Sequence, residues 1–129
     1  MSDDAAATLA AAVTERLRGI GRLAHVADGA PIAGGQPQAV VEIGAERDWG
    51  HKSGAGAELV FAVVVEVAGE RPDGARALLT QVRAAVDGIG PDLPGWRVVT
   101  CVMLRARVAR GGAGKWVGSV EWRARMLRG

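Results

Sequence analysis

The feature that most constrains this chain is the run from Leu59 to Val67, in which every residue except Ala62 and Glu66 is Val, Leu or Phe. Its β-branched content and the charges at its ends, Glu58 and Glu66, predict a central strand with two covered faces. Strand alternation divides it into two rows. Leu59, Phe61, Val63, Val65 and Val67 form the bulkier face, which should carry helices. Val60, Ala62 and Val64 form a flatter face that either contacts a partner or stays partly exposed. A polar, glycine-rich stretch, GAERDWGHKSGAGA over 44–57, feeds directly into the strand. The remaining segments can be read as what covers it.

Two helices are predicted. The first runs from about Asp4 to Ile20, with Asp3 and Asp4 suited to the N-cap and first turn and with Leu9, Val13, Leu17 and Ile20 on one stripe. Gly19 and Gly21 end it. The second starts near Pro72 and Asp73, carries Leu78, Leu79, Val82, Ala85, Val86 and Ile89 on its apolar side, and stops at Gly88, Gly90 and Pro91. Between them, 22–38 reads as irregular because of Pro31, Gly34, Gly35 and Pro37, with Leu23, His25 and Val26 compatible with a short strand or turn. Residues 39–44 (AVVEIG) read as a short strand, and 45–57 as a mobile connection rather than a tight turn.

The C-terminal third is predicted to be a hairpin. Trp96, Val98, Thr100, Val102, Leu104, Ala106 and Val108 alternate with Arg97, Val99, Cys101, Met103, Arg105 and Arg107. After the glycine turn at 110–114, Trp116, Val120, Trp122, Ala124 and Met126 alternate with Lys115, Val117, Ser119, Glu121, Arg123 and Arg125. One face is apolar. The other gathers Arg105, Arg107, Arg123 and Arg125.

Charge sharpens this picture. Of the sixteen basic residues, eight lie in 97–129 beside a single acid, Glu121, so that segment carries +7 and the remainder −5. Such a split fits nucleic-acid contact, and it fits equally copies of one chain docking basic segment against acidic surface. In the docking reading the arginines reach carboxylates such as Glu42, Glu46, Asp48 or Glu66 of a neighbour. The plain alternative is a solvated face that keeps a sheet edge soluble.

Enzymatic chemistry finds no motif. GGAGK at 111–115 lacks the helix start that a phosphate-cradling loop needs, no Gly-x-Ser-x-Gly elbow occurs, and no metal-ligand spacing occurs. His25 and His51 have no partners in sequence. The single cysteine, Cys101, leaves no internal disulfide and reads as a small apolar residue. No apolar run reaches the ~18 residues needed to span a bilayer, and no secretory signal is visible. The expectation is one domain, residues 1–129, that is not an enzyme, with no catalytic residues, no cofactor, no metal, an intracellular setting and no membrane partner. Trp49, in the middle of the 45–57 loop, either folds back onto its own domain or inserts into a neighbour.

The order of elements, with VVEIG, ERDWGHKSGAGAE, LPGWRVVTCVMLRARVAR and WVGSVEWRARM, resembles small tail-completion proteins of siphophage-like prophages and gene transfer agents. Ile43-Gly44, Asp48-Trp49 to Lys52 with Gly56 and Glu58, 95–99 (GWRVV) and Arg107 carry the resemblance, which spans about Leu9 to Met126. The Ala-rich N-terminus departs from the pattern, as does Val67-Ala68-Gly69, where an aromatic would be expected. The resemblance implies an α+β fold: an antiparallel-rich twisted sheet of about four strands with two helices packed on one face. It also implies a tail terminator, a homo-oligomeric and specifically hexameric ring that caps the tail tube and joins it to the head connector or stopper. DNA would pass through the lumen without specific binding, and the protein would sit at the head–tail interface of the virion after assembly in the bacterial cytoplasm. Family contacts map onto Glu46, Arg47, Asp48, Trp49, His51 and Lys52 and onto Arg105, Arg107, Arg123 and Arg125. A nucleic-acid-binding module using the arginine hairpin is the alternative.

Overall fold

The computed structural model describes residues 4–52 and 54–129. Asp3, read with Asp4 as a helix cap, lies outside them, as does Ser53. The elements in chain order are α1 (Ala5–Arg18), β1 (His25–Asp28), β2 (Gln38–Asp48), β3 (Gly56–Ala68), α2 (Asp73–Asp87), β4 (Asp92–Leu93), β5 (Trp96–Arg110) and β6 (Lys115–Arg128). The strands form one sheet in the order β1-β2-β3-β6-β5-β4. All pairs are antiparallel except β1 with β2.

The sheet is therefore six-stranded, not about four-stranded. The additional strands are β1 and β4, too short to show a period of two in the sequence. Asp4 caps α1 by accepting from the amide of Ala6 at 2.9 Å. Both helices lie on one face of the sheet. Leu9, Val13 and Leu17 from α1 and Leu78, Val82 and Val86 from α2 are buried against Leu59, Phe61, Val63 and Val65 of β3. Phe61 stacks on its cross-strand neighbour Trp122 with centroids 5.1 Å apart. Each such buried side chain contributes roughly 1.5–3 kcal/mol, so this layer holds the sheet in place. Arg16 ties the helices together, its Nε donating to the carbonyl of Ala85 at 2.9 Å near the end of α2.

Gly118 explains how closely α2 approaches. A Cβ there would lie 3.0 Å from Leu79 Cγ and 3.0 Å from Val65 Cγ2. A glycine within β6 thus lets the helix sit directly on the sheet.

The 45–57 segment differs most from expectation. β2 continues to Asp48 and β3 begins at Gly56, so only 49–55 connect them. Pairing holds the described residues of that connection: the amide of Trp49 donates to the carbonyl of Gly56 at 3.0 Å, His51 bridges Gly54, and Asp48 Oδ1 accepts from the amide of Gly50. Polar composition and three glycines suggested a mobile loop. The ladder forms nonetheless because strand pairing with β3 outweighs the low β-propensity of Gly44, Ala45 and Glu46. A register shift between Ile43 and Glu46 absorbs the misfit.

Candidate functional site

Opposite the helices, the described residues cover the outer face of the sheet at one end. There the side-chain amide of Gln38 pairs with Ile32, accepting from its amide at 2.9 Å and donating to its carbonyl at 2.8 Å. This arrangement folds the 29–37 segment over Gln38 and Val40, both of which are buried. At the other end lies a charged cluster centred on Glu58.

Cross-strand register builds the cluster. Arg47 on β2 stands opposite Glu58 on β3, and Glu58 stands opposite Arg125 on β6. Arg47 Nε lies 2.5 Å from Glu58 Oε2, Arg125 Nε 2.9 Å from Oε1, and Arg123 Nε 3.8 Å from Oε1. The carboxylate side chain is only 9 % exposed, whereas Arg47 is 79 % exposed. One buried carboxylate thus organises three guanidinium groups and leaves the cluster with surplus positive charge. The hydrogen bond from Arg125 holds the Glu58 carboxyl below its ordinary range, and the charges of Arg47 and Arg125 reinforce it against burial, which acts the other way. Arg123 Nε is buried without a hydrogen-bond acceptor, so the cluster retains an unused donor.

Trp49 belongs to the same end. The Arg125 guanidinium lies 5.6 Å from its ring centroid, and the His51 ring meets it edge-on at 5.0 Å. The ring folds back toward its own β6 and is half-buried, so part of it stays accessible. Gly56 makes this geometry possible, because a Cβ there would lie 2.6 Å from the carbonyl oxygen of Trp49.

The structure sorts the sequence-predicted residues by face. Arg105 pairs with Glu121 and Arg107 with Ser119, on the outward parity of β6 that also holds Arg123 and Arg125. The four arginines therefore share the outer face with Arg47. Glu46 and Asp48 pair with Leu59 and Ala57, which puts them on the helix side of the sheet, beyond the helices and exposed. Lys52 is exposed at the hairpin tip. Arg105 Nε lies 3.7 Å from Glu121 Oε1, while Arg107 has no ion-pair partner among the described residues.

The alternation expected for β5 requires correction. Register shifts fall between Val98 and Thr100 and between Met103 and Arg105. The first turns Thr100 and Val102 outward and brings Cys101 and Met103 to the helix side; the second restores the original phase. The arginines thus lie where strict alternation puts them, although Thr100, Val102 and Leu104 do not follow the apolar row. Glu58 was read only as a charged strand end. Its outward parity, shared with Val60 and Ala62 and set opposite two outward arginines, was the available signal. The acceptors expected in a neighbour are in part supplied here by the chain itself, through Glu58.

Among the described residues, no group of three or more His, Cys, Asp or Glu side chains is placed to hold a metal ion. Across β2, β3 and β6, a shallow depression of about 180 Å³ is lined by Glu42, Ile43, Gly44, Val60, Phe61, Ala62 and Glu121.

Comparison with known proteins bears on what this face does. The profile of the tail completion protein gp17 family matches residues 5–127. A chain in the solved structure described as the virion of a native gene transfer agent particle superposes with a TM-score of 0.71 at 28 % identity, covering 97 % of this chain and 98 % of that one. Curated protein sequences give no match.

Proposed function

The chain belongs to the tail completion protein gp17 family, and on that premise we propose that it is a tail terminator. Its family is one of structural tail proteins, and binding rather than turnover is the mechanism. Copies close into a ring, hexameric as in the proteins it resembles, that caps the finished tail tube and presents a surface to the head connector or stopper. The residues that make these contacts are Glu46, Arg47, Asp48, Trp49, His51 and Lys52 at the hairpin end and Arg105, Arg107, Arg123 and Arg125 on the outer face. The protein sits at the head–tail joint after assembly in the cytoplasm, and DNA passes through the lumen without being read.

The observation that carries this reading is the β2–β3 hairpin end, where a half-buried Trp49 and a cluster of surplus positive charge lie together at one rim of the sheet. An accessible aromatic edge beside arginines is the composition of an interface anchor. The full-length similarity to a chain within a gene transfer agent virion supports the same reading.

Arg47 and Arg125 are already held by Glu58, with Arg123 beside them, and the aromatic at that end of the row, Trp49, packs against Arg125. That arrangement favours protein docking over phosphate tracking. Light scattering on the size-exclusion peak, with electron microscopy of the same fractions, tests the proposal. Rings, or assembly on added tail tubes, are expected. A strict monomer that also ignores tube and connector proteins would overturn it.

A further inference from the structure

Both sides of the sheet end in strand that has no neighbour among the described residues. β1 pairs only with 38–41 of β2, which leaves 42–48 open on that side. β4 pairs only with Trp96 and Arg97, which leaves 99–110 of β5 open on the other. An open strand edge is a template for another chain, and soluble proteins ordinarily blunt it. The two edges here differ in charge. The β2 edge carries Glu42, Glu46 and Asp48 with one Arg47; the β5 edge carries Arg105, Arg107 and Arg110 and no acid.

The β5 edge is also apolar at its middle. Val102, Met103 and Leu104 are 45 %, 39 % and 43 % exposed, three consecutive large side chains that a solvated edge would not need. The register shifts at each end of this run bend the strand, which can itself deter pairing; the adjoining apolar run argues instead that the bend aims these side chains at something. The depression of about 180 Å³ beside Ile43 and Gly44 is a receptor of matching character. Heights match as well. Glu42 pairs with Ala62, Ala62 with Glu121, and Glu121 with Arg105, so Glu42 and Arg105 occupy one level at opposite sides of the sheet. Both lie on the outer face. Ile43 and Met103 share the next level through Phe61 and Trp122.

We propose that the free edge of β5 (99–110) pairs with the free edge of β2 (42–48) of a second copy, head to tail. β2 and β5 run antiparallel, as the three intervening antiparallel pairings require. Rotation about an axis along the strands preserves their direction, so each copy offers its neighbour an antiparallel ladder. In that matched register Arg105 meets Glu42 and Met103 meets Ile43, with Val102 and Leu104 flanking this contact beside Gly44. The contact joins two different surfaces, so it propagates and closes into a ring when the rotation permits. This inference rests on the ring reading and names the surfaces that build it.

Two full-length variants test it, Arg105→Glu and Glu42→Lys, with thermal melts to check that each folds. Assembly is followed by light scattering and electron microscopy at low salt, alone and on tail tubes. Each variant alone should need roughly tenfold or more protein to assemble than the unaltered chain, because like charges then face each other. An equimolar mixture should recover assembly, since each reversed edge then meets a reversed complement. If the unaltered chain and both variants assemble alike, edge pairing is overturned while the ring reading stands. If both variants fail and the mixture does not recover, the head-to-tail pairing is overturned. If the unaltered chain never assembles, alone or on tubes, both fall.

Discussion

Glu58 on β3 and Arg125 on β6 are direct cross-strand partners, with Arg125 Nε 2.9 Å from Glu58 Oε1. The same carboxylate accepts from Arg47, so removing its charge leaves guanidinium groups facing one another. The Glu58 pKa is lowered from 4.5 by the Arg125 hydrogen bond, with the neighbouring positive charges adding to it. A carboxyl lowered on folding stabilises the protein above its unfolded value. That contribution disappears as pH falls below 4.5 through the folded-state value. The urea midpoint of the unaltered chain should fall in that window more steeply than that of Glu58→Gln. At neutral pH, Glu58→Ala should lower the melting temperature more than Glu121→Ala, whose carboxylate is 33 % exposed against 9 % for Glu58.

Trp49 contributes little to the monomer. Its ring meets Arg125 at 5.6 Å near the surface, a contact that contributes about 0.5–1 kcal/mol. Trp49→Ala should therefore leave the melting transition within a few degrees while impairing assembly in sedimentation or tube-binding assays. A collapse of monomer stability would identify Trp49 as a core residue.

Gly118 should tolerate no side chain. With Leu79 and Val65 each 3.0 Å from a Cβ at that position, Gly118→Val should cost about 1–3 kcal/mol, read from denaturant midpoints.

Cys101 is half-buried, and burial pushes its thiol up to about 11, with Asp87 adding to the effect. From an ordinary value of 9.0 this lowers the thiolate fraction about a hundredfold near pH 8. Alkylation of the folded protein should be slower than that of the urea-unfolded chain by about that factor.

The long periodic elements were legible because burial imposes their pattern. α1, α2 and β3 have one face against a core, and their stripes of Leu, Val and Phe announce it. β1 and β4 carry too few residues for any period to show. The extension of β2 through Gly44 to Asp48 was hidden because no core contact requires apolar residues there; pairing with β3 alone holds it. The register shifts in β5 left no mark because they fall among apolar residues acceptable on either face. The arginine face was visible as alternation. The residue that organises it, Glu58, was not, because a carboxylate at a strand end usually faces solvent and only pairing of three strands surrounds it with arginines.

The central claim is that this chain ends a tail tube. The most direct measurement is electron microscopy of tail-tube protein polymerised with and without it. The account predicts rings of this chain seated at one end of each tube and a halt to growth at that end. Tubes that elongate equally in its presence, with no added density at either end, would contradict it.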